Sequence, residues 1–382
     1  MIQKWTVDQF GVAVAGVLTK FKDHIFDLDP DLVQLPLHLN SPSPEDCAAV
    51  IDSDTRLIGK FILPVGVNNV PHAAFKEVLE KYRGLIRIWD FGGEPETRPD
   101  QPGCRFSGDE EEFVRQVRTF YEMGKKIDPE NVIGGCGWIT PTFNGSFGNE
   151  DRSQFFENCF ALGIGQVLDF ISLNFYTYGY GGTKNILQGI SKVNEILAWY
   201  RVEKPVVVAE CGVPCTGDPK FLHIIQTPER QAISLVKQHV LFNSVGIDYA
   251  IWFALKHLGW GLLDTRGKPR PSYYAMRTIK DFLKGAIFKT QMKAYPSRTV
   301  EERWCTDKIN WFVFERDDKE IHVIWTTERL EMDREFPFKD VSVFGVIGQP
   351  IDVSGGSIRL TDSPLYFIAD PGELHSYNFL LL

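Results

Sequence analysis

Two glutamates stand where apolar, β-rich runs break off. Leu85-Ile86-Arg87-Ile88-Trp89-Asp90-Phe91-Gly92-Gly93 leads into Glu94-Pro95, and Lys204-Pro205-Val206-Val207-Val208-Ala209 leads into Glu210-Cys211-Gly212. A carboxylate closing a buried, Val-rich run is costly unless it serves a purpose. Two of them in comparable places can divide one reaction, a protonated carboxyl assisting departure of a leaving group while an ionised one attacks. Opposite roles need opposite environments. Once one carboxyl is negative, repulsion at close range raises the pKa of the other and keeps it protonated near neutral pH. Asp90 and Glu96 are the neighbouring carboxylates that compete with Glu94 for the acid role, and strand-end placement with Pro95 behind it favours Glu94.

The elements that must position these residues are legible as alternating β-rich runs and helical patterns, the signature of repeated βα units over a parallel sheet. Eight strands are expected: Phe10 to Gly16, Leu32 to Leu37, Leu57 to Leu63, Leu85 to Trp89, Val132 to Cys136, Phe170 to Phe175, Val206 to Ala209 and Tyr249 to Ala254. Between them, Phe113, Val114, Val117, Phe120 and Tyr121 form one apolar helical stripe, as do Ile186, Leu187, Ile190, Val193, Ile196, Leu197 and Tyr200. Thr227 before Pro228 reads as a helix N-cap with proline in the first turn. Eight units close into a (β/α)8 barrel, whose catalytic side chains belong at the C-terminal ends of the strands.

After Lys284 the helical period disappears. Asn310 to Arg316, Ile321 to Thr326, Val341 to Val346, Ser357 to Leu360 and Leu365 to Ala369 read as short strands, with Asp317-Asp318-Lys319-Glu320 as a hairpin connection. The expected organisation is a catalytic barrel over 1–283 and an antiparallel β-sandwich over 284–382. A chain of 382 residues suits that division.

Hydrophobic residues make up 43% and charged residues 24%, ordinary globular usage, and the net charge of −9 comes without any Lys/Arg block. Nucleic acid and membrane are therefore not expected as partners. With no signal-like layout at the N-terminus, a cytoplasmic location is expected. The seven cysteines are scattered, which argues for buried thiols over a disulfide framework. Cys211 and Cys215 have no second Cys/His pair nearby, and the histidines show no ligand spacing, so no metal is expected. The Asn144-Gly145-Ser146 sequon would matter only in a secreted protein.

These motifs resemble clan A glycoside hydrolases, nearest to members such as families 39 and 5. There, an N-E-P segment ending strand four carries the acid/base and is similar to Gly93-Glu94-Pro95, and a K-P-hydrophobic-E-x-G segment ending strand seven carries the nucleophile and is similar to Lys204 to Gly212. Asp169-Phe170-Ile171-Ser172-Leu173-Asn174-Phe175-Tyr176, Trp252, the run from Gly261 to Tyr274 and Ser363-Pro364-Leu365-Tyr366 also resemble the clan's pattern.

The resemblance implies a retaining glycosidase with Glu94 as acid/base and Glu210 as nucleophile, the two carboxyls about 5 to 5.5 Å apart, and with no organic cofactor. Carbohydrate is the implied substrate. Asn174, Tyr176 and Trp252 are implied to bind it, Tyr176 also holding Glu210 and Trp252 offering an apolar face to a sugar ring. His38, beside Asn40, is a further candidate for the pocket wall.

Two departures carry consequences. Gly93 stands where the clan has the asparagine that binds the sugar's 2-hydroxyl, and no arginine is evident in Leu32-Val33-Gln34-Leu35-Pro36-Leu37. Gly93 is expected to open a void that is either left empty or filled by Asn174. A carbohydrate-binding pseudoenzyme and a transglycosidase are the alternative readings.

Overall fold

A computed structural model describes residues 10–14, 18–37, 42–51, 54–63, 70–97, 106–139, 153–176, 182–215, 226–292, 309–327, 330–338 and 340–374. His38, Asn40 and the sequon at Asn144 lie outside them.

Eight parallel strands close on themselves in the order β1-β2-β3-β4-β5-β6-β7-β8. They are β1 (Phe10–Ala13), β2 (Leu32–Leu37), β3 (Arg56–Phe61), β4 (Ile88–Phe91), β5 (Val132–Ile139), β6 (Ile171–Tyr176), β7 (Val206–Gly212) and β8 (Ala250–Trp252). The helices between them in sequence are α1 (Lys22–Leu28), α2 (Pro44–Ala48), α3 (His72–Lys81), α4 (Glu110–Ile127), α5 (Ser153–Ala161), α6 (Gly182–Trp199) and α7 (Pro228–Ser244), with α8 (Pro271–Leu283) after β8. This is the (β/α)8 TIM barrel expected from the alternation of patterns.

All eight expected strands exist; β2 has the expected ends and the other seven have shifted ends. The fourth starts later than expected, at Ile88, and takes in Asp90 and Phe91; the seventh runs through Glu210 to Gly212. Helix α4 buries the expected Phe113, Val114, Val117 and Phe120, while Tyr121 stays half-buried and donates its hydroxyl to Asp169. Its ends follow helix electrostatics: the Asp109 carboxylate caps the Glu112 N–H, and Lys125 and Lys126 sit in the last turn. Thr227 caps α7 as its sequence predicts, its hydroxyl accepting from the Arg230 N–H at 3.2 Å.

The C-terminal strands are β9 (Ile287–Gln291), β10 (Ile309–Arg316), β11 (Lys319–Thr326), β12 (Met332–Glu335), β13 (Ser342–Phe344), β14 (Ser357–Leu360) and β15 (Leu365–Ala369). They form a five-stranded sheet, β13-β15-β11-β10-β9, and a two-stranded sheet, β12-β14. Trp311, Val313 and Ile324 of the first and Ile358 and Leu360 of the second share one buried apolar cluster with Phe336 and Phe338, the dry layer of a sandwich. Arg316 pairs with Lys319, so the hairpin turn is Asp317-Asp318 alone, both with positive φ as a two-residue turn requires. β9 and β12 are additions to the expected strands.

The chain divides into two compact units. One comprises 9–213 and 247–261, which hold all eight barrel strands with α1 to α6; the other comprises 1–8, 214–246 and 262–382, which hold α7, α8 and both C-terminal sheets.

Candidate active site

Strand alternation decides which side chains enter the barrel. One buried cluster joins Ala13, Leu32, Ile58, Phe170, Val207 and Ile251, with Ile88 packed against it, so these positions face the lumen. Two residues further along each strand, the same face carries Gln34, Lys60, Asp90 and Ser172, and then Asn174 and Tyr176. The lumen thus changes from apolar to polar toward the C-terminal strand ends.

Alternation alone would turn Glu210 away from the lumen, since Val207 and Ala209 have the inward parity. The register prevents this. Leu173 pairs with Val208 but Asn174 pairs with Glu210, leaving one extra residue in β7, and the same surplus recurs against β8, where Val208 pairs with Ala250 and Cys211 with Trp252. Such an insertion re-aims the side chains after it. Gln34 secures the irregular turn of backbone, its amide donating to the Ala209 carbonyl at 3.1 Å.

Once re-aimed, Glu210 is held on both oxygens. The Lys60 ammonium donates to Oε1 at 2.5 Å, and the Tyr176 hydroxyl donates to Oε2. Lys60 is 3% exposed and stands 3.9 Å from Asp90 Oδ2, its register partner on β4. Asp90 Oδ1 accepts from the Ser172 hydroxyl at 2.7 Å, and Ser172 in turn accepts from the Gly137 N–H at 2.6 Å. Burial pulls the Lys60 pKa down, but the carboxylates of Glu210 and Asp90, with Glu94 beyond, outweigh it and leave it raised. Burial pushes Asp90 up to about 6 against the opposing pull of Lys60 and the Ser172 hydroxyl.

Glu94 reaches the same place from the β4 side. It is half-buried, with φ of 54°, a left-handed backbone that a glutamate adopts at a cost of about 1–3 kcal/mol. Its N–H donates to the Gly137 carbonyl at 3.0 Å and its carbonyl accepts from the Thr97 N–H at 3.1 Å, which fixes this conformation. Asn174 donates its amide to Glu94 Oε1 at 3.1 Å. Because Asn174 is the register partner of Glu210, the two glutamates flank one residue of β6. The rival carboxylates Asp90 and Glu96 are both buried, at 1% and 7% exposure.

Glycine is favoured at 137 by close approach as well as by its φ of 56°: a β-carbon there would lie 3.1 Å from Asn174 Oδ1 and 3.3 Å from the Gly93 Cα. Asn174 does not fill the space beside Gly93, since no atom of it lies within 4 Å of a β-carbon at that position. A β-carbon at Gly93 would already touch Lys60 Cε at 3.4 Å, so the lysine stem bounds that space while Asn174 turns to Glu94.

Trp252 does not offer a face to a ligand. It is fully buried, with parity opposite to lumen-facing Ile251, and its indole N–H donates to the Trp260 carbonyl at 3.3 Å. The half-buried aromatic here is Phe253, which packs against the lumen cluster and lies edge-on to Tyr176 at 6.5 Å; Trp260 also packs edge-on to Tyr176, at 4.9 Å. Counting alternation from Ile251 accounts for the placement of Trp252 and of Phe253.

Sequence reasoning missed Lys60, although a lysine at the parity of Ile58 inside an otherwise apolar strand is a readable signal. It missed the partnership of Asp90 and Ser172 for a different reason, since both are short side chains with ordinary packing roles. Cys47, Cys136, Cys159, Cys211 and Cys215 are buried thiols, and burial pushes the pKa values of Cys136, Cys159 and Cys211 well up. Among the described residues no group of three or more His, Cys, Asp or Glu has the geometry of a metal site, and no helix is long and apolar enough to cross a membrane.

No protein-family model matches the chain, and no curated protein matches it in sequence. Solved structures match it in fold. A glucosidase from Croceicoccus marinus aligns with a TM-score of 0.63 and 14% identity over 96% of this chain and 97% of its own. A glycoside hydrolase family 30 subfamily 8 xylanase from Clostridium acetobutylicum aligns with a TM-score of 0.60 and 14% identity over the same shares of both chains. A family 86 protein in complex with neoagarooctaose aligns with a TM-score of 0.65 and 12% identity, over 95% of this chain and 74% of its own. At such identities the likeness is one of fold: a barrel of the kind that clan A resemblance implies. Residue roles come from the site itself.

Proposed function

We propose that the chain is a clan A glycoside hydrolase that cleaves O-glycosidic bonds by double displacement, its motifs resembling those of families 39 and 5. The observation that carries this reading is the convergence of Glu94 and Glu210 on Asn174 in different settings. Glu210 receives an ammonium and a phenol hydroxyl, donors that favour a negative carboxylate; Glu94 sits half-buried on a strained turn and receives an amide.

In the first step Glu210 attacks the anomeric carbon while Glu94 gives its proton to the departing glycosidic oxygen, leaving a covalent glycosyl-enzyme. In the second, Glu94 takes a proton from water, whose oxygen attacks the same carbon and releases Glu210. Asn174 orients Glu94 and lines the pocket, and Tyr176 and Phe253 supply its aromatic wall. The fold neighbours include a glucosidase, a xylanase and a protein bound to neoagarooctaose, which supports carbohydrate as the substrate class.

A screen of chromogenic glycosides, followed by mass spectrometry of the protein treated with a mechanism-based sugar inhibitor, tests the reading. Turnover with an adduct on Glu210 is expected. An unmodified Glu210 alongside inert substrates would instead favour a carbohydrate-binding pseudoenzyme, a reading supported by the Lys60 ammonium that already occupies Glu210 Oε1.

A further inference from the structure

We propose that Ser172 is a positioning residue for Glu94: from β6 it ties down an extra residue in β5, and that tie seats the backbone turn on which the acid/base stands. The inference rests on the glycosidase reading for its catalytic meaning, and on geometry alone for the seat itself.

Strand β5 carries one residue too many against β6. Gly135 pairs with Ile171 and Trp138 with Leu173, so Cys136 and Gly137 stand opposite Ser172 alone. An extra residue breaks the ladder and leaves a main-chain group in need of another partner. Ser172 supplies it. The Gly137 N–H donates to the Ser172 hydroxyl oxygen at 2.6 Å, and that hydroxyl donates onward to Asp90 Oδ1 at 2.7 Å. From its carbonyl end the same glycine reaches Glu94, accepting from the Glu94 N–H at 3.0 Å.

Taken in order, the contacts run from Asp90 on β4 to Ser172 on β6, to Gly137 on β5, and back to Glu94 just past the end of β4. The chain from Asp90 to Glu94 closes the circle. Gly137 and Glu94 both have left-handed backbones, and a glutamate keeps that conformation only where its surroundings over-determine it. Ser172 is fully buried, too deep to touch a substrate, so whatever it does for the reaction passes through Gly137 to Glu94. Two residues on along β6, Asn174 steadies the Glu94 side chain, so one strand holds the acid/base by backbone and by carboxyl. The two glutamates are then seated by one device used twice, an extra residue in β7 for Glu210 and an extra residue in β5 for Glu94.

The test replaces Ser172 by Ala in the full-length protein and compares two glycosides of a sugar that wild type hydrolyses, one with a dinitrophenolate leaving group and one with an alkoxide. A displaced acid/base fails where the leaving group needs its proton. The ratio of kcat/KM for the dinitrophenyl over the alkyl glycoside should therefore rise by about 10- to 10²-fold in Ser172→Ala. A merely structural role lowers both rates by one factor, and an unchanged ratio overturns the proposal. Amide hydrogen exchange read by NMR is independent of activity: the Gly137 and Glu94 amides should exchange about ten-fold faster in Ser172→Ala. Wild-type protection of the Glu94 amide in that variant also overturns it. If Ser172→Ala does not fold, Ser172→Cys, whose thiol donates and accepts only weakly, decides by the same two readouts in the same directions. A wild type that hydrolyses no glycoside while the Glu94 amide loses protection in the variant would sink the glycosidase reading and leave the seat standing.

Discussion

The lower and upper halves of the barrel lumen are built from the same strands, at positions of the same parity except where the extra residue in β7 re-aims Glu210, and they differ in what those positions hold. Below, Leu32, Ile58, Phe170, Val207 and Ile251 make a closed apolar cluster. Two residues on, Gln34, Lys60 and Ser172, and three on, the re-aimed Glu210, bring hydrogen-bonded polar groups into the lumen. Burying apolar surface stabilises the fold by roughly 25 cal/mol per Å², whereas burying paired charges is close to neutral or costly. The lower lumen therefore holds the barrel together and the upper lumen uses that rigidity to keep ionised groups where water would otherwise solvate them.

If that division is right, the largest effect on activity comes from the upper layer at Glu210. Glu210→Gln should abolish turnover of every glycoside, a loss of at least about 10⁴-fold, with thermal unfolding much less affected. Steady-state assays beside calorimetry make the check, and comparable losses in both would erase the contrast between the layers.

Glu94→Ala should be selective. Glycosides with poor leaving groups should lose on the order of 10² to 10⁴ in rate, while a dinitrophenyl glycoside should show a burst followed by slow turnover. Azide should speed the slow phase, since it needs no deprotonation and can enter the vacated space. A uniform loss without azide rescue would move the acid/base role to Glu96 or Asp90.

The lower layer should behave in the opposite way. Phe170 fills the space over Gly134, where a β-carbon would stand 2.4 Å from its ring. Phe170→Ala should cost about 3–5 kcal/mol of stability, read by urea unfolding, while the folded fraction keeps its kcat/KM within a few-fold.

The smallest effect sharpens the cost of the charges. Asp90 titrates near 6 in the folded barrel against 3.8 as its ordinary value. The folded state thus holds a proton that the unfolded chain has released, so stability falls as pH rises from about 4 and the loss is complete above the folded value. The total is on the order of 2–3 kcal/mol. Asp90→Asn should lack this fall, gaining on wild type by that amount between pH 4 and 7.5 in paired unfolding measurements. Parallel pH curves for the two proteins would show that Asp90 ionises without strain.

The sequence by itself determined the barrel, because eight apolar runs alternating with helical stripes can bury their faces in few other ways, and it determined that Glu94 and Glu210 end two of those runs. It also carried Asn174 and Tyr176, which share the parity of Phe170 along one strand. Tertiary structure decided the rest. The inward aim of Glu210 depends on an extra residue in β7 that appears only when β6 and β8 are laid beside it. Alternation, not residue type, makes Trp252 a core residue and leaves Phe253 near the pocket. The partner of Glu210 lies 150 residues away on β3, where a lone lysine signals only that some carboxylate must meet it; closure of the barrel selects which one, because that is what brings opposite walls within the length of a side chain.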